Sequence, residues 1–315
     1  MSIPRLLPGR AIEGISAVLL PYLTDYRPDW ESFRRLLDRT WAAGLTPAVN
    51  MDTGYVNLLT EAERRRVLAE TAEVAAGRPF VAGAFIEGAT GEPARLYIAE
   101  VEAIRRAGGT PILFQSTALT AQDDDGIVAT YRDVASAGGP MLAFELVSMF
   151  APFGRIYSED LYARLLEIEP IVGAKHSSLD RVVELGRLAL RDRHRPDFKV
   201  YTGNDLAIDM VFYGSDYLLG LSAFHVEAFA LRDRLWREED PRAFMINDLL
   251  QYLGHFTFRP PVPTYKHSAA QFLKIRGLVG TNLAHPHSAV RPGTDVVVLE
   301  DIARRIDAAI ARISE

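Results

Sequence analysis

One lysine, Lys175, lies within the short apolar segment "PIVGAKHSS" (170–178), where a charged side chain would be costly to bury. A free lysine has a pKa of about 10.4, and burial lowers that pKa because it disfavours the ammonium form. A neutral amine can attack a carbonyl carbon and form a Schiff base. The protonated Schiff base accepts electrons from the adjacent carbon, which makes carbon–carbon cleavage, condensation or dehydration feasible. The alternative is a structural lysine paired with Asp52 or Glu145.

Polar side chains also follow the other apolar segments of the chain. They are Asn50, Asp52, Thr53, Glu87, Gln115, Glu145, Asn204, Asp205 and Ser222. Asp52, Glu87 and Glu145, with His176, could instead form a divalent-metal site, because carboxylate and imidazole groups bind such metals. If Lys175 faces one side of a strand, however, His176 faces the other. The single "DTG" (52–54) does not support an aspartic protease, which needs two such carboxylates.

Short apolar runs recur about every 30 residues and predict the strands that position these groups. The runs are 14–23, 45–51, 79–86, 110–115, 140–146, 171–177, 198–203 and 216–223. They are nearly continuous rather than alternating, as expected for parallel strands covered on both faces.

Amphipathic patterns between the runs predict helices. In residues 30–44 the apolar side chains recur at helical spacing up to Gly44. Thr60 and Glu63 have the spacing of a capping box. Further helices are predicted to start near Glu92, Asp123, Ser158, Asp180, Asp205 and His225.

Eight strands that alternate with eight helices predict a (β/α)8 TIM barrel over residues 1–236. An open doubly wound sheet is the alternative, but no Gly-rich G-x-G-x-x-G turn follows the first run. Three more amphipathic patterns predict a helical appendage over residues 237–315. In such a barrel the chemistry takes place at the carboxyl ends of the strands, where Lys175 and the polar residues lie.

The composition is that of an ordinary globular protein. The chain has 315 residues, no cysteine, and a net charge of 35 − 41 = −6, which does not favour binding to nucleic acid. The start, "MSIPRLLPGR", lacks the apolar segment of a signal peptide, and no apolar run is long enough for a membrane span. We therefore expect a cytoplasmic protein with neither nucleic-acid nor membrane partners.

Four segments of the chain carry patterns of one known family. "PIVGAKHSS" is similar to the lysine strand, I-V-G-x-K-x-S-S, of the dihydrodipicolinate synthase / N-acetylneuraminate lyase family. "MDTGY" with the following "LLTEAERRRVL" resembles its G-T-T-G-E loop and L-S-x-x-E-R helix. "VYTGND" resembles its S-G-D-D strand, and the region of "RPPVPTYKHSAAQFLKIRGL" resembles its N-P-x-P-x-K helix. The resemblance extends from about Gly14 to the end of the chain.

This resemblance implies a Schiff-base role for Lys175. It also implies that Thr53 is the second threonine of a carboxylate-binding pair and that Gly54 shapes the loop. Members of the family act on small carbonyl compounds without a metal or organic cofactor. They are typically homotetramers, built as dimers of dimers, so we expect a homo-oligomer (tetramer or dimer).

The chain departs from the family pattern at two positions near the lysine. Phe144 replaces the tyrosine of strand 5 that relays protons, and a phenyl ring has no hydroxyl. Asp52 replaces the first threonine, where its carboxylate would repel a substrate carboxylate unless it is protonated or paired. Glu145, Asp52 or Tyr55 could serve as the alternative acid or base. Glu145 and Phe144 cannot both face inward in a regular strand.

The sequence therefore predicts a Schiff-base-forming lyase that acts on a small 2-oxo acid or related carbonyl compound, but not a true dihydrodipicolinate synthase. The predicted catalytic residues are Lys175, Glu145 and Tyr55, and the predicted substrate-binding residues are Asp52, Thr53, Gly54, Phe144, Asn204 and Ser222. A non-catalytic, ligand-binding homologue and a metal-dependent barrel enzyme remain as alternatives.

Overall fold

The computed structural model describes residues 4–314 and contains a closed barrel of eight parallel strands, in which β1 pairs with β8. The strands β1 to β8 are Gly14–Ala17, Thr46–Val49, Val81–Ala84, Thr110–Leu113, Met141–Leu146, Ile171–Ser177, Lys199–Thr202 and Asp216–Leu219. The predicted (β/α)8 barrel is confirmed, and the open-sheet alternative is wrong because the sheet closes. Most strands are shorter than the apolar runs, since buried residues such as Val18 and Leu19 continue into loops beyond β1.

Helices surround the barrel and continue beyond it. The helices α1 to α11 are Trp30–Ala42, Glu61–Ala75, Pro93–Arg106, Thr117–Thr120, Asp124–Ser136, Glu159–Leu166, Arg181–His194, Val226–Arg237, Arg242–Thr257, Tyr265–Ile275 and Asp295–Ser314. Five of the predicted starts are their N-cap residues: Glu92, Asp123, Ser158, Asp180 and His225. Each cap side chain accepts a hydrogen bond from an otherwise unpaired backbone N–H of the first turn. Thr60 and Glu63 form the predicted capping box.

The helix predicted near Asp205 does not form. Between β7 and β8 the chain makes only a short 3-10 helix, Ile208–Tyr213. The carboxylate of Asp205 accepts a hydrogen bond from the Leu221 N–H at 2.7 Å instead of capping a helix. Gln251 of α9 accepts from the Ile208 N–H at 2.9 Å and donates to the Asp205 carbonyl at 3.2 Å. A tertiary contact therefore satisfies backbone groups that a barrel helix would have paired.

The amino end of the barrel is closed by charged and polar side chains. Arg10 and Lys199 both contact the carboxylate of Asp216, at 2.8 and 3.1 Å. Tyr201 points to the same end and donates its hydroxyl to Glu13 at 2.7 Å. In barrels of this type the active site lies at the opposite, carboxyl end of the strands.

The helices α9 and α11 pack on α8, and α9, α10 and α11 pack on one another. The helix α10 also reaches the carboxyl end of the barrel. Two of its side chains, Tyr265 and Lys266, contact the loop after β2. The domain boundary at residues 236 and 237 stays a prediction. Within residues 4–314, no helix combines the length and apolar content needed to cross a membrane.

Candidate active site

Lys175 lies on β6 with its side chain on the inner side of the barrel wall. Its neighbour in register on β5 is Phe144, and its Nζ atom lies 4.5 Å from the centre of the Phe144 ring. The lysine is 9% exposed. Burial lowers the pKa of Lys175 to about 8, although the nearby carboxylates of Asp205 and Asp52 act in the opposite direction. Much more of the amine is therefore neutral near pH 7 than in a free lysine.

The residues on either side of Lys175 face outward, as strand alternation predicts. His176 packs between the barrel and α7, and its Nδ1 lies 2.6 Å from the carboxylate of Glu145. Arg187 of α7 donates two hydrogen bonds to the same carboxylate, at 2.8 and 3.0 Å. Burial alone would raise the pKa of Glu145, but His176 and Arg187 lower it below its ordinary value. Glu145 thus lies outside the barrel interior, and the structure does not support its predicted role in proton transfer.

The loop after β2 binds directly to α10. Asp52 forms an ion pair with Lys266 at 2.9 Å and accepts a hydrogen bond from the Tyr265 hydroxyl at 2.9 Å. The hydroxyl of Thr53 lies 2.9 Å from the same Tyr265 hydroxyl. The charge of Asp52 is therefore compensated by Lys266.

The structural-lysine alternative required Lys175 to pair with Asp52 or Glu145. Both carboxylates have other cationic partners, namely Lys266 and Arg187. Within residues 4–314, no ion pair of 4.0 Å or shorter involves the Lys175 amine. Its burial is thus not explained by a salt bridge.

Gly54 and Tyr55 shape the loop after β2. A Cβ atom on Gly54 would lie 3.2 Å from the Val18 carbonyl oxygen, so the loop passes close to the backbone after β1. Tyr55 adopts a left-handed backbone conformation, with φ of 63°. Its ring is buried in the outer core against Tyr22 and His285, with ring centres 5.7 and 5.8 Å apart. Burial raises the pKa of Tyr55, and its position gives no support to the predicted role as a proton donor.

Asn204 and Ser222 are buried near the same end of the barrel but make local contacts. The side-chain oxygen of Asn204 accepts a hydrogen bond from the Leu206 N–H at 3.1 Å. The Ser222 hydroxyl lies 2.9 Å from the Ser16 hydroxyl and 2.9 Å from the Leu219 carbonyl oxygen. Substrate binding by either residue stays a prediction.

Two glycines leave room for the functional side chains. A Cβ atom on Gly203, just after β7, would lie 2.8 Å from Cε of Lys175. A Cβ atom on Gly220, just after β8, would lie 2.9 Å from the Thr53 hydroxyl and 3.0 Å from the Tyr265 ring. The contacts of 2.8 and 2.9 Å are too short for a carbon atom, so these positions favour glycine.

Phenylalanine rings pack beside Lys175, beginning with Phe144. The Phe114 ring contacts Phe85, Phe144 and Phe153, with ring centres 5.5, 5.0 and 6.4 Å apart. These apolar rings strengthen the desolvation of Lys175. They also confirm that Phe144 faces inward while Glu145 faces outward.

The proposed metal ligands do not converge. Glu87 accepts hydrogen bonds from the backbone and hydroxyl of Thr117, at 2.7 and 2.8 Å, and Asp52 contacts Lys266. Glu145 and His176 form a separate pair on the outer side of the barrel. In the described part of the chain, no group of three or more His, Asp or Glu side chains has a metal-binding arrangement. The donor geometry therefore does not support the metal-dependent alternative.

Sequence reasoning assigned no role to Tyr265, Lys266 or Arg187. Lys266 lies in the segment that resembles the family's N-P-x-P-x-K helix, which was the one available signal. Its contact with Asp52 joins residues 214 positions apart, and no local pattern encodes such a pairing.

The fold and this site define a (β/α)8 barrel protein with a buried lysine near the carboxyl ends of its strands. No protein-family model matches the chain. It is similar to the 4-hydroxy-tetrahydrodipicolinate synthases of Kosmotoga olearia (24% identical over 211 residues) and Salinibacter ruber (28% over 204 residues). The matches cover 65% and 64% of this chain, and 68% and 64% of those two proteins.

Two solved structures share the fold over nearly the whole chain. One is YagE of E. coli K12, a prophage protein of the dihydrodipicolinic acid synthase family in complex with pyruvate, with a TM-score of 0.80 and 15% identity. The other is dihydrodipicolinate synthase of Thermotoga maritima, with a TM-score of 0.80 and 17% identity. They cover 94% and 95% of this chain, and 98% and 99% of their own chains. Identity this low establishes the fold alone.

The resemblance drawn from the lysine strand is confirmed. The chain is similar to 4-hydroxy-tetrahydrodipicolinate synthases in sequence and shares the fold of structures in the dihydrodipicolinate synthase family. The predicted enzyme class, a lyase of this type, agrees with the named relatives, which are synthases.

Proposed function

We propose that the protein is a Schiff-base-forming lyase that acts on a small 2-oxo acid or related carbonyl compound through an iminium at Lys175. The observation that carries this proposal is the inward-facing, buried Lys175, whose pKa is lowered to about 8 without an ion-pair partner among the described residues. Such an amine is a nucleophile near neutral pH.

The surroundings of Lys175 support the same chemistry. The neutral amine would add to the carbonyl carbon, take up one proton from solvent and release water, leaving a cationic iminium. Asp52 and Asp205 lie within electrostatic reach of Lys175 and would stabilise that cation. Because Lys266 compensates the charge of Asp52, this carboxylate repels a substrate carboxylate less than an unpaired one would. The pyruvate complex of YagE supports a 2-oxo acid as the first compound to test.

The experiment is reductive trapping. The protein is incubated with pyruvate and a panel of other 2-oxo acids, reduced with borohydride and mapped by mass spectrometry. We expect an adduct on Lys175 that disappears in Lys175→Ala and persists in Lys274→Ala, which removes an exposed lysine of α10. If no carbonyl compound forms an adduct on Lys175, the proposal is refuted.

Synthesis of dihydrodipicolinate itself is not part of this proposal. Phe144 has no hydroxyl at the family's proton-relay position, and it packs against Phe114. The same feature favours the second candidate, a ligand-binding homologue without catalysis. An adduct on Lys175 without turnover of any substrate would support that candidate.

The setting of the protein is also proposed. We propose that it acts in the cytoplasm as a homo-oligomer, a tetramer or dimer, as typical members of the family do. The chemistry at Lys175 calls for no metal or organic cofactor.

A further inference from the structure

We infer that the hydroxyl of Tyr265, hydrogen-bonded to Asp52 and Thr53, transfers protons to and from the iminium intermediate in place of the hydroxyl that Phe144 lacks. This inference rests on the proposed function. It assigns a catalytic role to a residue of the C-terminal helices, outside the barrel strands.

Schiff-base chemistry at Lys175 needs an acid or base near the reacting carbon. Phe144 cannot supply it, and Glu145 faces outward between β6 and α7. Tyr55 lies in the outer core against Tyr22. The remaining candidates that include a carboxylate acting on Lys175 are the Asp52–Tyr265–Thr53 group and Asp205.

The Asp52–Tyr265–Thr53 group has the connectivity of a proton relay. Tyr265 donates its proton to Oδ2 of Asp52 at 2.9 Å. The Thr53 hydroxyl, 2.9 Å away, can then donate to Tyr265. Lys266 holds Oδ1 of Asp52 at 2.9 Å, so it fixes the carboxylate that accepts the tyrosine proton. Thr53, Tyr265 and Lys266 are buried, which shields the relay from competing water.

The relay lies at the same end of the barrel as Lys175. Gly220, at the carboxyl end of β8, faces it: a Cβ atom there would lie 3.3 Å from the Tyr265 hydroxyl. Gly203, at the carboxyl end of the adjacent β7, faces Lys175 in the same way. The charge of Asp52 acts on the pKa of both Lys175 and Tyr265. The relay and the nucleophile therefore share one electrostatic environment.

Asp205 is the competing candidate. Burial raises the pKa of Asp205 to about 7, a suitable value for an acid or base. However, its carboxylate accepts the Leu221 N–H at 2.7 Å, and its backbone carbonyl binds Gln251. These contacts give Asp205 a positioning role for the loops after β7 and β8. The Tyr265 hydroxyl, in contrast, already donates a hydrogen bond to the carboxylate of Asp52, which can accept its proton.

In the proposed step, Tyr265 accepts one proton and passes on another. A proton leaves the carbon next to the iminium carbon and binds to the Tyr265 oxygen, while Tyr265 passes its own proton to Asp52. The electron pair of the broken C–H bond forms a carbon–carbon double bond. The π electrons of the C=N bond move to the nitrogen of Lys175, which gives a neutral enamine. The positive charge of the iminium is thus replaced by neutralisation of Asp52, and the reverse step returns the proton.

The test measures proton transfer separately from Schiff-base formation. Proton NMR in D2O follows the exchange of the methyl protons of pyruvate, or of the hydrogens next to the carbonyl in another 2-oxo acid that is trapped. For Tyr265→Phe we expect exchange at least about 100-fold slower than in the unmodified protein, the usual size of an acid–base contribution. Trapping on Lys175 by borohydride should persist. The matched control is Tyr22→Phe, which removes another buried hydroxyl and should leave exchange unchanged.

Each outcome decides between the two proposals. Exchange by Tyr265→Phe within about threefold of the unmodified rate, with trapping intact, overturns the relay but leaves the Schiff-base function standing. Failure of the unmodified protein to trap any carbonyl compound overturns both. If Tyr265→Phe does not fold by circular dichroism, Asp52→Asn removes the proton acceptor and faces the same two measurements. Loss of exchange in Asp205→Asn but not in these variants would assign the role to Asp205 and overturn the inference.

Discussion

At the scale of the residue, Lys175 combines reactivity with a cost in stability. Its folded-state pKa, about 8, is below the ordinary value of 10.5. Between these values the unfolded chain binds one more proton at this lysine than the folded chain, so this contribution to stability increases as the pH rises from 8 to 10.5. Below pH 8 the fold carries a buried ammonium. A group retained at such a cost is typical of functional sites.

The lowered pKa of Lys175 predicts the pH dependence of adduct formation. About one amine in ten is neutral at pH 7 when the pKa is about 8, and most are neutral above pH 9. The rate of trappable adduct formation with a 2-oxo acid should therefore rise with pH and level off above about pH 8. Samples are reduced with borohydride at fixed times between pH 6 and pH 10, and the adduct is quantified by mass spectrometry to give this rate. A rate that keeps rising towards pH 10.5 would contradict the lowered pKa.

At the scale of the element, strand alternation decides which side chains can take part in the chemistry. On β5 and β6, Phe144 and Lys175 face inward, whereas Glu145 and His176 face outward. Glu145 of this outward pair accepts two hydrogen bonds from Arg187 and also contacts His176. These contacts fix β5 and β6 to α7. This buried network therefore sets the orientation of the wall that carries Lys175.

Arg187→Gln should destabilise the protein strongly. The arginine and Glu145 have side chains that are 2% and 1% exposed, and removal of the cation leaves a buried carboxylate without full compensation. We expect the free energy of unfolding to fall by about 3–5 kcal/mol. Urea denaturation followed by circular dichroism measures it. Arg193→Gln, on the exposed face of the same helix, should change it by less than about 0.5 kcal/mol; similar losses in both variants would argue against the network.

At the scale of the whole molecule, the C-terminal helices complete the barrel's open end. Tyr265 and Lys266 of α10 contact Thr53 and Asp52 of the loop after β2. The site thus depends on packing between parts of the chain more than 200 residues apart. Folding of the C-terminal region and formation of the site are coupled through these contacts.

Lys266→Met should weaken the contact between α10 and the loop after β2 and so destabilise the protein. The change leaves the carboxylate of Asp52 largely buried with only the Tyr265 hydroxyl as a partner. We expect the free energy of unfolding to fall by about 3–5 kcal/mol at neutral pH. Urea denaturation at pH 7 measures this loss, with Lys274→Met, which removes an exposed lysine of the same helix, as the control. A similar loss in both variants would contradict this role for the ion pair.

The sequence by itself determined the parts of the molecule that depend on local order. The eight apolar runs predicted the strands, and the N-cap residues, such as Asp123 and Ser158, marked where helices begin. Alternation along β6 gave the opposite directions of Lys175 and His176. These features follow from backbone geometry and from contacts within a few residues, so a local pattern encodes them.

Only the tertiary structure decided which groups surround Lys175. The α-helix expected near Asp205 is replaced by a short 3-10 helix, and Gln251 binds the Ile208 N–H and the Asp205 carbonyl. The charge of Asp52 is compensated by Lys266. Phe144 lacks a hydroxyl, and we infer that the hydroxyl of Tyr265, which is hydrogen-bonded to Asp52, replaces it. These pairings join distant parts of the chain, and their energies depend on burial and distance in three dimensions. The local sequence therefore predicted Lys175 as the nucleophile, whereas the packing of the C-terminal helices on the barrel decided which groups lie around it.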